Sequence, residues 1–333
     1  MNHRRSLGGY HSLLALGTFG VVLLPACARV ALLPPASPVP SSPGEPWRSE
    51  RTAVVAQINS ARAELGFPPL AYDSTLERVG DMHCRILIEE RGDGHFSRSG
   101  VPPYLRYLLA GGNGFHRENV GSYSTMGRVA DSALARILLI SVEDMLAEVP
   151  PNDGHRRSLL DPWVTHVGVG LAVRGGEVRM THELATEVTQ SWAPPPAAAA
   201  PGTALALSGR LARPWEPEAV EVLWEELPRP LPDAQLHANR AYGYPERRAM
   251  FHANRAATPE STRSFTVDRF GAIRFRWPAG PHEGVEIVLL WARFGGGRQL
   301  AVVAASATVV VETAKLPPEL ALWQELRSSP IQP

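Results

Sequence analysis

Val54, Val55, Ile58, Ala61 and Leu65 recur at the spacing of one helical face, with Gly66 just past them and Pro68 beyond, so the pattern predicts an amphipathic helix that stops at Gly66. Asp73 or Ser74 can cap a second helix running to about Arg91, with Leu76, Val79, Met82, Ile86 and Leu87 on its buried face. Cys84 and its neighbour His83 fall in that stretch, where a small buried hydrophobe is the plain reading of the cysteine. Gly92 and Gly94 then turn the chain and put His95 in a loop. A third helical pattern covers Met126 to Ala147, through Val129, Ala133, Ile137, Leu138, Val142 and Met145, and Pro150 and Pro151 halt it. Beyond it the period shortens: Trp163 to Val173 and Glu177 to Val188 read as strands about an Arg174-Gly175-Gly176 turn. Helices flanking a small antiparallel sheet predict an α-β-α layering for residues 50–192.

Residues 203–315 change character. Thr203 to Leu211, Ala219 to Leu227, Arg263 to Val267, Ala272 to Trp277, Val285 to Phe294 and Gln299 to Val311 are strand-like, divided by turns such as Gly295-Gly296-Gly297. Alternation in Glu221-Val222-Leu223-Trp224 and Ile273-Arg274-Phe275-Arg276-Trp277 predicts half-buried strands in an all-β sandwich. The expected fold is thus α+β, an α-β-α layer followed by a β-sandwich. Residues 28–49 read as a tether whose Pro- and Ser-rich part, residues 30–48, reaches up to roughly 60 Å at about 3.1 Å per residue. Residues 193–202, with Pro194-Pro195-Pro196, lack apolar periodicity and read as a semi-rigid linker, and residues 316–333 as a C-terminal tail.

The first 27 residues are read apart from the fold. His3, Arg4 and Arg5 precede an apolar run from Leu13 to Leu24, too short for a membrane span of about 20 residues, which describes an export signal. Its end, Leu24-Pro25-Ala26-Cys27, looks like a bacterial lipobox, which would make Cys27 the acylated first residue of the mature chain. Pro25 is unusual there, and an ordinary secretory cut near Ala26 or Ala28 is the alternative. With Ala28 after Cys27, a cell with two membranes would be expected to send the protein to the outer one. Cys27 and Cys84 are the only cysteines, so lipidation of Cys27 would leave no intramolecular disulfide and stability would rest on the core.

Charge and motifs remove several function classes. With 33 basic and 33 acidic side chains, the chain has no net field to drive nucleic-acid binding. It carries no Walker loop, Rossmann fingerprint, nucleophile-elbow serine or His-Glu-x-x-His helix.

Three short segments carry the candidate chemistry: Gly94-His95-Phe96-Ser97, Arg117-Glu118-Asn119-Val120 and Asn152 to Leu160, which contains Gly154-His155. Two imidazoles and a carboxylate converging on one cleft could bind a divalent metal, activate a water, or both. Among eleven histidines, surface and hydrogen-bonded core positions are the plainer reading of any pair.

The order and spelling of these segments, with Ile58 to Asp73 before them and Thr165-His166-Val167-Gly168-Val169-Gly170 after, resemble the bacterial branch of the CAP superfamily, which includes cysteine-rich secretory, antigen 5 and plant pathogenesis-related proteins. The resemblance spans about residues 50–192. It implies that His95, Glu118 and His155 line the family's central cavity, where two histidines often bind zinc. It also implies a second acid on the helix before the last histidine, where Glu143 and Glu148 compete and Glu148 is preferred. Ser158 stands where that motif usually has Asn, and Met145 or Leu146 stands near the usual Trp.

Three functional classes follow. The favoured one is an envelope-anchored, extracytoplasmic binding module whose His/Glu cavity takes zinc or a lipid-like ligand. The second is a metal-dependent hydrolase of envelope polymers or peptides, with His95 and His155 as ligands, Glu118 as base and Glu148 as an extra carboxylate. The third is a structural envelope protein whose His and Glu residues tie helices to the sheet. Expected partners are the membrane, through Cys27, and a lipid, peptide or polymer ligand. His237-Ala238-Asn239-Arg240-Ala241 recurs as His252-Ala253-Asn254-Arg255-Ala256 around Tyr242, Tyr244, Arg247 and Arg248, which reads as a structural loop or as a duplicated contact for an anionic or sugar ligand.

Overall fold

The computed structural model describes residues 47–237, 241–253 and 264–327. The signal segment, Cys27 and nearly all of the tether lie outside these residues, as do Ala238 to Arg240 and Asn254 to Ala256 of the paired motifs.

The first helix, α1 (Arg48–Glu64), buries Val54 and Ile58 and ends where Gly66 takes a left-handed φ of 73°. Arg62 on the same helix is fully buried. It donates Nε to the Pro68 carbonyl at 2.9 Å and its Nη atoms to the carbonyls of Leu159, Asp161 and Val164 at 2.8, 2.9 and 3.1 Å, so one side chain ties α1 to a distant loop. β1 (Ala71–Tyr72) leads into α2 (Ser74–Glu90), capped by Asp73, whose carboxylate accepts the Leu76 N–H at 2.8 Å. α3 (Pro103–Leu109) and β2 (Phe115–Ser124) follow, then α4 (Asp131–Ala147), α5 (Gly154–Leu159), β3 (His166–Arg174) and β4 (Glu177–Thr186). α4 starts at Asp131 and not at Met126 because Thr125 and Val129 donate their N–H groups to Gly176 and Gly175, which pins that stretch to the β3–β4 turn.

These strands form one sheet in the order β1-β3-β4-β2, antiparallel except for β1 with β3. On one face Gly168 and Gly170 let α2 approach so closely that a Cβ on Gly170 would overlap the backbone of Gly80. On the other face Val167, Val169, Leu171, Met180 and Leu184 pack with Val54, Ile58, Leu138 and Val142 of α1 and α4. This is the expected α-β-α layering. Cys84 is buried in it, and burial pushes its thiol well above the ordinary value.

The remaining chain supplies β5 (Thr189–Ala193), β6 (Ala198–Ala199), β7 (Ala204–Leu211), β8 (Trp215–Glu225), α6 (Asp233–Leu236), β9 (Arg247–His252), β10 (Ser264–Val267), β11 (Ala272–Pro278), β12 (Gly284–Phe294), β13 (Leu300–Val310) and α7 (Pro318–Glu325). They form two sheets, ordered β10-β11-β7-β5 and β6-β13-β12-β8-β9. Leu205, Leu207, Phe265, Ile273, Phe275 and Trp277 of the first meet Val220, Val222, Val288, Leu290 and Val303 of the second, which makes the β-sandwich.

The central strands β8, β12 and β13 of the five-stranded sheet are covered on both faces. The reverse side of this sheet, with Leu223, Val285, Ile287, Leu289, Ala305, Ala307 and Val309, packs on Tyr104, Leu105 and Leu108 of α3, on Leu76 and Val79 of α2, and on Leu320 and Trp323 of α7. β12 and β13 therefore read as nearly continuous apolar runs, as strands covered on both sides must. Two segments differ from their sequence reading for this reason. Residues 193–202 are not a free linker, since β5 and β6 add an edge to each sheet, and the C-terminal tail contributes a docked helix. Among the described residues no helix is long and apolar enough to cross a membrane.

Glu225 sits at the seam between the two halves and accepts a hydrogen bond from the Tyr104 hydroxyl at 2.8 Å. Burial pushes its carboxyl up to about 7. The folded chain holds a proton there that the unfolded chain has released, so this group's contribution is full below pH about 4.5 and is lost as pH rises to about 7. Glu225→Gln keeps the acceptor and cannot ionise. Its Tm should match the parent near pH 4.5 and exceed it near pH 8 in thermal melts, and a pH-independent difference would exclude this role.

Candidate functional site

The loop after α2 and the edge strand β2 build the inner half of the site. His83 on α2, fully buried, donates Nε2 to the Gly94 carbonyl at 3.2 Å and so fixes the turn that presents His95. His95 Nδ1 lies 2.9 Å from Glu118 Oε1, and the other Glu118 oxygen is held by the Arg106 guanidinium of α3. Arg106 also donates to the carbonyls of His95 and Val101 at 2.8 and 3.0 Å and stands 5.5 Å over the ring of Trp323. The side chains of Arg106 and Glu118 are wholly out of solvent.

Charge in this pocket is sharply divided. Burial alone would raise the Glu118 carboxyl, but Arg106, with His83 and His95, holds it well below the usual carboxylate range. Glu183, its register partner on β4, goes the other way: burial, then the neighbouring Glu118 charge, pushes it well above its ordinary value. Burial lowers His83 and His116 to about 3, so both are neutral, and His116 Nε2 lies 2.8 Å from Glu183.

The β-sandwich half closes this pocket. Tyr242 sets its ring edge on His95, with centroids 4.7 Å apart, and its hydroxyl accepts the Glu118 N–H at 2.5 Å. Tyr244 stacks between Tyr104 and Phe115 at 4.4 and 4.7 Å, accepts the His116 N–H at 3.1 Å and donates to the His116 carbonyl at 3.3 Å.

The outer half lies across the strand. Successive residues of β2 point to opposite faces, so Asn119 turns away from Glu118, and its Nδ2 donates to the His155 carbonyl at 3.1 Å. On that side His155 Nδ1 meets Glu148 Oε1 at 2.5 Å, and the second Glu148 oxygen accepts the N–H groups of His155 and Arg156 at 3.0 and 3.3 Å. The His155 side chain is 37% exposed and that of Glu148 22%, against 10% for His95. His182, the register partner of Asn119, is fully buried there, and neither of its ring nitrogens has a hydrogen-bond partner. Glu143, the other candidate acid, is exposed on α4.

The predicted residues are thus brought together as two separate pairs, His95 with Glu118 and His155 with Glu148, on opposite faces of β2. Among the described residues no group of three or more His, Cys, Asp or Glu side chains is placed to hold a metal ion. Each imidazole already spends Nδ1 on a carboxylate, and a cation sits beside Glu118. This donor set does not fit a catalytic zinc, which usually has three protein ligands. Arg106 is marked in the sequence only as a charge inside the otherwise apolar Val101 to Ala110. Tyr242 and Tyr244 stand out between the paired His-Ala-Asn-Arg-Ala motifs, and nothing in the sequence places them against the other half of the chain.

Comparison with known proteins finds similarity in this half of the chain. Residues 55–184 match the model of CAP, the cysteine-rich secretory protein family. An outer surface protein from Borrelia burgdorferi is similar over 42% of this chain and 94% of its own, at 17% identity and a TM-score of 0.33. An extracellular protein containing an SCP domain from Bacillus anthracis is similar over 43% of this chain and 44% of its own, at 20% identity and a TM-score of 0.31. The structure of NaASP2 with Zn2+ is similar over 41% of this chain and 79% of its own, at 12% identity and a TM-score of 0.30. No curated protein matches the chain.

Arg106→Met leaves the Glu118 charge buried without its partner and should lower stability by about 3–5 kcal/mol in chemical denaturation. Adding Glu118→Gln removes that charge and should recover part of the loss. A double variant no more stable than the single would show that the ion pair is not what Arg106 provides.

Proposed function

Residues 55–184 are a CAP domain, and from that premise we propose that the whole chain is an exported binding module, held at the cell envelope through a lipidated Cys27, and not a hydrolase. The condition of Glu118 carries this reading. A general base needs a proton affinity near the working pH and a path to a water. Glu118 has its affinity suppressed by Arg106, both of its oxygens engaged, and Tyr242 over the loop that holds His95. Glu148 is no freer, because its oxygens serve the ring and backbone of His155. In this reading the inner pair ties helix, loop and strand together, and the outer pair presents the reactive surface. The extracellular and outer-surface descriptions of the Bacillus and Borrelia proteins accord with export of this chain.

The half-exposed His155 beside Glu148 is where a divalent ion such as zinc is expected to bind, weakly, since two donors are fewer than a closed site has. Calorimetric titration of zinc into the protein should give an isotherm that His155→Ala abolishes and His95→Ala leaves intact. Loss in both variants would restore a single convergent site, and absence of heat in the parent would remove metal from this role.

Export and anchoring have a separate test. Cys27→Ser should move the protein from the membrane to the soluble fraction of cells that lipidate such signals. Undiminished membrane retention would count against the anchor.

A further inference from the structure

We propose that the outer face of the β10-β11-β7-β5 sheet is a docking surface for an anionic phospholipid bilayer. The inference is independent of the Cys27 anchor and of the His/Glu pairs. Alternation along β7 and β11 sends Leu205, Leu207, Ile273, Phe275 and Trp277 into the sandwich and leaves Arg210, Arg274 and Arg276 exposed. Register brings the three together: Ala272 pairs with Arg210, Arg274 with Ser208 and Arg276 with Ala206. Ala204, Ala206, Ser208 and Thr266 fill the positions between them, so the face is flat and carries no acidic side chain on its described strand positions. In a chain with 33 basic and 33 acidic side chains, this is a local excess of positive charge.

The hairpin tip at the end of the same face adds an apolar element. Phe270 is 63% exposed there, and the Arg269 guanidinium lies 4.7 Å over its ring. Asp268 makes the tip rigid, since its carboxylate accepts the N–H groups of Phe270 and Ala272 at 2.8 and 2.9 Å. Those bonds use the one acid of the turn to shape the backbone, with Arg274 and Arg210 near it. A groove of about 340 Å³ runs alongside, lined by Ser191, Trp192, Ser208, Arg210 and Arg274, of a size to admit a lipid headgroup.

Flat arginine rows attract any polyanion, but an exposed aromatic at a rigid tip, with a guanidinium over it, suits the boundary between headgroups and acyl chains. That combination selects a bilayer over a soluble polymer. Attraction of arginines to an anionic leaflet falls away within a Debye length, so the contact must be salt-sensitive.

The full chain carrying Cys27→Ser, which removes acylation, is sedimented with vesicles of phosphatidylcholine alone or mixed one-to-one with phosphatidylglycerol. The apolar signal segment adds the same background to every variant, so the readout is the preference for anionic vesicles. Arg210→Gln, Arg274→Gln and Arg276→Gln combined should lower that preference by at least about tenfold, and Phe270→Ser should lower anionic binding while leaving its salt dependence. All four side chains are exposed, so unchanged thermal melts accompany these losses. An undiminished preference in the triple variant overturns the proposal. Equal binding of dextran sulfate, arginine-dependent and indifferent to Phe270, also overturns it and puts a soluble polyanion on the face.

Discussion

The buried guanidinium of Arg106 is the point at which the two halves of this chain depend on each other. It sits on α3, takes the carbonyls of Val101 and His95, ion-pairs with Glu118 on β2 and lies over Trp323 of α7. A charge removed from water at this cost is tolerated here because its Nη groups are met, although Nε has no hydrogen-bond partner, and because its counter-ion is equally fixed. Meeting them requires the loop after α2, the edge strand and the last helix in one arrangement. The other buried groups of this pocket are kept neutral first by burial, which raises Glu183 and lowers His83 and His116, and the ionised Glu118 pushes Glu183 further the same way.

Burial of the central strands of the five-stranded sheet on both sides has the larger structural consequence. A β-sandwich alone would turn Val285, Ile287, Leu289 and Ala307 to water, and a CAP-like layer alone would expose Tyr104, Leu105 and Leu108. Each supplies the other's missing cover. Full burial of a Leu, Ile or Val side chain is worth about 1.5–3 kcal/mol, so the shared interface holds the halves as one body and lets Tyr242 and Tyr244 keep a fixed place against His95 and His116.

Elements with a one-sided pattern were legible in the sequence. α1, α2 and most of the sandwich strands lie where apolar periodicity puts them, because each buries one face. α3 was not, since Val101 to Ala110 is buried all round and has no period to read. β2 was hidden for the opposite reason. Its Phe-His-Arg-Glu-Asn run satisfies polar side chains on both faces, Glu118 against Arg106 on one and Asn119 against α5 on the other, so hydrophobic alternation is missing from a real strand. The short β5 and β6 escaped because backbone pairing with β7 and β13, not side-chain pattern, places them. The pairing of His95 with Glu118 was within reach of motif order, but Arg106 and Tyr242 were not, since nothing in sequence spacing says that Arg106, 12 positions away, completes the buried charge of Glu118 or that Tyr242, 124 positions away, closes over it.

The inner and outer pairs share a chemistry and differ in surroundings, and surroundings decide what each can do. An imidazole held against a carboxylate is a usual way to present the second ring nitrogen to a metal or a proton. For His95 the ring edge meets Tyr242, and its carboxylate answers to a permanent cation, so the pair behaves as a strut. His155 has the same arrangement at the start of a short helix with more than a third of its side chain in solvent, and among the described residues no Lys or Arg side chain lies within hydrogen-bond reach of Glu148. Its ring can meet a ligand without any part of the core moving. The four landmark positions of the family resemblance therefore divide in this chain by burial and counter-charge, two spent on holding the molecule together and two left facing outward, and residue identity alone could not have made that division.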